Sequence, residues 1–251
     1  APDAPDAPDA PDAPGAADAA DAAFAADGAK APARGAESHG GAPGANALAD
    51  DRIAAYTALM AASQPLVADE ILDAYSLRRH RHLLDVGGGD GSFIAAAAAR
   101  ARHLRLTLFD LPAVAERARA RFASSGLVGR AEAIGGSFLV DALPQGADIA
   151  TLIRVVHDHD DVSATALLRA VHRALAAGGT LLLAEPMACT PGAEAMGDAY
   201  FGFYLLAMGR GRPRTEPELV AMLKAAGFVT VRSLPTHVPL QTRLLAAGKS
   251  A

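Results

Sequence analysis

The sequence predicts an α/β fold: a mostly parallel sheet of seven strands, closed by an antiparallel C-terminal pair, with helices on both faces. Three observations predict it. Leu83-Leu84-Asp85-Val86 runs into Gly87-Gly88-Gly89-Asp90-Gly91-Ser92 and then an alanine-rich stretch, the strand, glycine turn and helix that open a nucleotide-type binding fold. Short, near-continuous apolar runs then alternate with helix-period segments, as in a parallel sheet covered on both sides. The last two strand-like runs, Val229–Leu234 and Gln241–Ala247, are joined by a short Pro-containing link, which allows only an antiparallel pair.

Residues 1–48 are built mainly from Ala, Pro, Asp and Gly and open with Ala-Pro-Asp repeated four times. Such a segment cannot bury enough apolar surface to offset its chain entropy, so a disordered tail is expected. It has no basic start followed by an apolar run, so it does not read as a signal peptide. Opening on Ala rather than Met leads us to expect a fragment or a trimmed product. A helical segment is expected over 49–78, with Ile53, Tyr56, Leu59, Met60, Leu66, Val67, Ile71 and Leu72 at helical spacing and a break at Pro65. The catalytic-type fold should then occupy 79–251.

Within it, strand 1 is His82–Val86, followed by a helix from Ser92 to Ala101. Strand 2, Leu104–Phe109, ends at Asp110-Leu111-Pro112, and a helix runs from Ala113 to Ser124. Strand 3, Ala131–Ile134, ends in Gly135-Gly136-Ser137-Phe138. Strand 4 is Ile149–Val156. The helix Val162–Ala176 is expected to stop at Gly178-Gly179, an ordinary glycine ending. Strand 5 is Thr180–Ala184, ending at Glu185-Pro186, and a last helix spans Glu216–Ala226.

Composition narrows the function. The chain has 251 residues and a net charge of −5, with acids and bases roughly balanced from Ala49 onward. Nucleic acid is therefore an unexpected partner, and Arg78-Arg79-His80-Arg81-His82 reads as a solvated connector. No apolar run is long enough to span a membrane. Cys189 is the single cysteine, which excludes an internal disulfide and suits a cytoplasmic location.

Ligands of such sheets sit beyond the carboxyl ends of the strands. Gathered there are Gly87 to Gly91, Asp110, Ser137, Phe138 and the stretch Arg154 to His157. Ser92 stands where a dinucleotide fingerprint needs its third glycine, and no Gly-Lys-Ser/Thr follows, so dinucleotide and triphosphate readings fail. Asp110 is either a helix cap or the acceptor of two ribose hydroxyls; beside a glycine loop the ribose reading is favoured. For Phe138, stacking on an adenine and packing in the core both stand.

In order and spacing, Asp85-Val86-Gly87-Gly88-Gly89-Asp90-Gly91, Phe109-Asp110-Leu111-Pro112, Gly135-Gly136-Ser137-Phe138 and Val155-Val156-His157-Asp158 resemble the class I S-adenosylmethionine-dependent O-methyltransferases, whose fold is Rossmann-like. The resemblance covers residues 52–247. It implies S-adenosylmethionine as cofactor, held by Asp85, Gly87, Gly89, Asp110, Ser137, Phe138 and Arg154. The family commonly has an Asp on the adenine where this chain has Ser137. His157 resembles the family's general base, and a group with a pKa near the working pH suits removal of a hydroxyl proton. No metal is expected, because His157-Asp158-His159-Asp160-Asp161 has no further clustered ligands; Asp160 or Asp161 reads as a helix cap. The acid that usually orients the base precedes an Arg-Thr pair, and that position here is Pro213. Asp198 and Glu216 are the remaining candidates, Glu216 fitting better in the first turn of its helix.

Tyr200, Phe201, Phe203 and Tyr204 place four of the chain's twelve Phe and Tyr within five positions. They read either as core packing or as the lining of an apolar cavity. This stretch, with Ala184-Glu185-Pro186-Met187-Ala188 and with Tyr56 to Pro65, resembles the bacterial carotenoid methyltransferases. The resemblance implies a hydrophobic small-molecule acceptor, a hydroxylated carotenoid of the demethylspheroidene or hydroxyneurosporene type, bound by Met60, Tyr200, Phe203 and Tyr204 and reached through peripheral contact with a membrane. A phenolic or polyketide acceptor is the first alternative, and a cofactor-binding protein without turnover the second. Family members form homodimers through an N-terminal helical domain, whose place is taken here by the low-complexity tail.

Overall fold

A computed structural model describes residues 62–192 and 211–251, all within one compact unit, Gly41–Ala251. The tail over 1–48, Met60, Asp198, Tyr200, Phe203 and Tyr204 lie outside the described residues. Helical backbone over 62–74 (α1) runs without interruption through Pro65. The main-chain bond that a proline there removes would go to residue 61, outside the described range.

Seven strands follow: β1 (His82–Val86), β2 (Arg105–Asp110), β3 (Ala131–Gly135), β4 (Ala147–Ile153), β5 (Leu175–Glu185), β6 (Thr230–Leu234) and β7 (Arg243–Gly248). Between them lie α2 (Ser92–Arg100), α3 (Pro112–Ser124), α4 (Asp161–Ala174) and α5 (Glu216–Ala225). The sheet order is β3-β2-β1-β4-β5-β7-β6. The first five strands are parallel, while β7 is antiparallel to both β5 and β6. The expected mixed sheet with its antiparallel ending is therefore present, with β7 inserted between β5 and β6.

Side-chain alternation along the strands builds two cores. Leu83, Leu106, Leu108, Ile149 and Leu182 pack with α1, α2 and α3 on one face. Leu84, Leu152, Leu181 and Leu183 pack with α4 and α5 on the other. Strands buried on both faces need no polar side, which is why they read as unbroken apolar runs.

Most element ends shift by a residue or two and β5 starts at Leu175 rather than Thr180; two differences bear on the site. Helix α4 stops at Ala174 with Leu175 already extended (ψ 141°), and Gly178-Gly179 lies inside β5 rather than capping the helix. Gly178 has φ +71° and donates its N–H to Ser250 O at 2.8 Å, so its glycine serves an irregularity in the strand. Strand β4 ends at Ile153, three residues before expected, because Arg154 turns left-handed (φ +56°) and Val156–Asp158 forms a 3-10 turn.

The order of strands reverses between β1 and β4. A crevice at such a switch point receives the ligand, and the reversal sets Gly87 beside Val155: a Cβ on Gly87 would lie 2.7 Å from a Val155 methyl carbon.

Candidate active site

The glycine loop opens the site. Gly87 donates its N–H to Phe109 O at 2.8 Å, stitching the loop to β2. Gly89 has φ +61°, and a Cβ there would meet nothing within 4 Å. The loop thus presents a face on which backbone alone approaches a ligand. Asp90 ties the opposite side to α3 through Arg121, so its carboxylate is structural.

Asp110 stands at the carboxyl end of β2. Its Oδ2 accepts from Gly89 N–H at 2.8 Å and its Oδ1 from Leu111 N–H at 2.7 Å. It therefore steadies the loop, and the helix-cap reading is not realised: α3 starts from Leu111 with no side-chain cap. Burial raises the Asp110 pKa, against the Gly89 and Leu111 N–H groups and Arg117, which lower it.

Asp85 lies beneath the loop rather than on its open side. It is 1% exposed; Oδ1 accepts from Thr151 Oγ1 at 2.6 Å, and Oδ2 has no hydrogen-bond partner. A Cβ on Gly88 would fall 2.5 Å from that Oδ2, so Asp85 can act on a ligand only through the loop. Burial pushes its pKa up to about 7, with Thr151 opposing and Asp110 adding to the rise.

Past β3, Ser137 donates its N–H to Asp141 Oδ2 at 2.8 Å. Phe138 is half-buried and meets the ring of His159 edge-on, centroids 5.0 Å apart. Arg154 sends its guanidinium to α1, donating from Nη1 to Ser63 Oγ at 2.8 Å and from Nη2 to Gln64 Oε1.

His157 is 5% exposed and sits on the 3-10 turn after β4. Its Nδ1 lies 2.5 Å from Glu185 Oε2. An ionised carboxylate only accepts, so Nδ1 carries the proton in that bond and Nε2 is the second ring nitrogen, directed at Asp158. Glu185 is itself held: Oε1 accepts from Val155 N–H at 3.0 Å and Val156 N–H at 2.7 Å. Asp158 Oδ1 stands 3.2 Å from His157 Nε2. Burial alone lowers the His157 pKa, but Asp158 and Glu185 together outweigh it despite Arg154, and the net shift is upward.

Glu185 is the bracing acid that sequence reasoning missed. Pro213 offers no carboxylate. Glu216 is in the first turn of α5, as expected, and pairs with Arg243. Asp160 caps α4 by accepting from Ser163 N–H at 2.8 Å. The signal for Glu185 was an acid at the carboxyl end of the strand next to β4: the pairing of Ile153 with Ala184 brings it to His157.

These features fit S-adenosylmethionine: a side-chain-free loop face, a carboxylate at the loop edge and a half-buried aromatic ring, with the His157 imidazole held on the same edge of the sheet. Among the described residues no three His, Cys, Asp or Glu converge as a metal site, and no helix is long and apolar enough to cross a membrane.

Residues 36–229 match the sequence profile of the O-methyltransferase domain. The chain is 42% identical over 193 residues to the demethylspheroidene O-methyltransferase of Cereibacter sphaeroides, covering 76% of this chain and 51% of that protein. It is 39% identical over 183 residues to the aclacinomycin 10-hydroxylase of Streptomyces purpurascens, covering 72% and 48%. The solved structure of a mitomycin 7-O-methyltransferase superposes with a TM-score of 0.67 at 30% identity, over 74% of this chain and 53% of that one. The chain thus spans about half the length of the curated relatives it matches.

Proposed function

The chain belongs to the O-methyltransferase domain family, and from that premise we propose that it moves a methyl group from S-adenosylmethionine to a hydroxyl of a hydrophobic acceptor, with His157 as the general base. The acceptor class we assign is a hydroxylated carotenoid of the demethylspheroidene type, which the relatives at 42% identity support by name.

The observation that carries the reading is the His157–Glu185 bond of 2.5 Å on the same sheet edge as the glycine loop. Bound S-adenosylmethionine supplies an electrophilic methyl group, so the chain's remaining tasks are alignment and proton removal. Gly87 and Gly89 would let the main chain approach the donor, Asp110 would hold its ribose and Phe138 its adenine. Ser137 and Arg154 flank that surface, and Asp85 supports it from below. Glu185 holds His157 in the tautomer that leaves the Nε2 lone pair, beside Asp158, able to take a proton. Neutral His157 takes the acceptor hydroxyl's proton at Nε2, and the resulting imidazolium lies between Glu185 and Asp158, whose charges favour it.

Membership alone does not choose the reaction, since one relative is a hydroxylase by name. An oriented, buried base favours transfer to oxygen, because a hydroxyl nucleophile must lose its proton as the new bond forms. Met60, Tyr200, Phe203 and Tyr204 are the side chains we assign to the acceptor.

Incubation with methyl-labelled S-adenosylmethionine and a panel of hydroxylated carotenoids, phenols and polyketides tests the proposal. Label in a carotenoid methyl ether is the expected result. Label only in phenols or polyketides overturns the acceptor assignment, and donor binding without label in any acceptor overturns the methyl-transfer reading.

A further inference from the structure

Arg214 is among the largest fully buried side chains of the described residues, 2% exposed, and plays no part in the chemistry above. Its Nη1 donates to Val156 O and its Nη2 to His159 O, each at 2.8 Å. Nε and Nη2 also reach Asp161 Oδ1 at 2.9 and 2.7 Å. One guanidinium therefore grips both ends of the turn that carries His157 and the first residue of α4. The strand of chain that bears Arg214 adds two more constraints. Arg212 N–H donates to His157 O at 3.0 Å, and Gly211, at φ +77°, leaves no room for a Cβ against that same carbonyl.

A buried guanidinium is costly to desolvate, and replacing a whole buried ion pair by well-packed apolar side chains is often neutral for stability. What an apolar side chain cannot do is bind two carbonyls of one turn at a fixed separation, which the planar fork of arginine does. The chain pins the other side of the same turn through Glu185, whose Oε1 holds Val155 and Val156 N–H. The turn is thus fixed by its N–H groups from β5 and by its carbonyls from the segment before α5.

We propose that Arg214 is a positioning residue for the reaction: it sets the backbone of residues 156–159 and thereby aims the His157 imidazole. The inference rests on His157 being the base. Displacement of a reacting group by about 1 Å costs on the order of 100-fold in rate, and that is the scale of effect expected.

Arg214→Met and Arg214→Lys are compared in the whole chain, each alone and combined with His157→Ala. Methyl transfer, S-adenosylhomocysteine affinity and the NMR titration of His157 are the readouts. Arg214→Met should lower kcat by about 100-fold while the affinity for S-adenosylhomocysteine stays within about two-fold. Arg214→Lys, whose single ammonium cannot span both carbonyls, should fall between it and the parent. On the His157→Ala background neither should lower the residual rate further, since groups acting as a unit are not additive. Equal losses on both backgrounds, or no loss in Arg214→Met, overturn the inference alone; a His157→Ala chain with full activity overturns the base assignment instead. If Arg214→Met does not fold, Arg214→Lys decides. It keeps the charge, so a fall of the His157 pKa toward its ordinary value reports a loosened bond to Glu185, and an unmoved titration overturns the inference.

Discussion

His157 stands between two carboxylates, and that placement decides when it can act. A base must be neutral to take a proton, and the His157 pKa is raised above its ordinary 6.5. The acid limb of the pH–rate profile should therefore lie above 6.5. The folding contribution of these contacts has the same sign: it is full below 6.5 and fades as pH rises through the raised value. Glu185→Gln removes one of the two charges and sets its NH2 either against the His157 Nδ1–H or against the Val155 and Val156 N–H groups. We expect the acid limb to move to lower pH, kcat to fall by about 100-fold, and stability to drop by ~2 kcal/mol. A pH–rate series with a melting curve on the variant checks this; an unmoved limb counts against Glu185 as the brace.

Asp85 shows the same sign by another route, the burial of an acid. Its carboxylate is buried with Oδ2 unpartnered, and its pKa is raised from 3.8 to about 7. A raised acid favours folding while protonated and loses that contribution as pH climbs from about 4 through about 7. The groups facing it are Thr151, which lowers its pKa, and Asp110, which raises it. Asp85→Asn should therefore flatten the pH dependence of stability over that window and raise the melting temperature above pH 7. A variant that melts at the parent's temperature at pH 8 would show Asp85 to be satisfied by other means.

At the scale of elements, the glycine loop and the turn after β4 form one unit. Gly87 has φ +71° and its missing Cβ would strike Val155 at 2.7 Å, whereas Gly89, at φ +61°, has open space. Gly87→Ala should lose both stability and donor binding, because left-handed backbone costs about 1–2 kcal/mol before the clash is counted. Gly89→Ala should bind the donor at least about ten-fold more weakly while losing only the backbone share of stability. Calorimetric S-adenosylhomocysteine binding beside thermal unfolding separates the two; equal stability losses would place Gly89 against packed atoms after all. The strands themselves were readable from apolar runs, β1 to the residue. Less readable was where β4 stops, because the left-handed turn at Arg154 depends on the packing of its neighbours. The Gly178-Gly179 pair misled for a related reason: a glycine pair after a helix suits a cap and an irregular strand equally. Glu185 could not be paired with His157 from spacing alone, since the two are 28 residues apart and meet only through the β4–β5 register.

For the molecule as a whole, the sheet does the assembling. Reversal of strand order between β1 and β4 brings the loop, Asp110, Phe138 and His157 to one edge, and the two cores hold that edge from both faces. Most of this was legible because the motifs occur in the order in which the strands end. The central claim is that His157 removes a hydroxyl proton during methyl transfer, and the direct test is His157→Ala beside the parent chain, with labelled S-adenosylmethionine, a hydroxylated carotenoid, and S-adenosylhomocysteine binding measured on both. Labelled methyl ether is expected from the parent, with a loss of about 100-fold or more in the variant and equal affinities. A variant that transfers label as fast as the parent would contradict it.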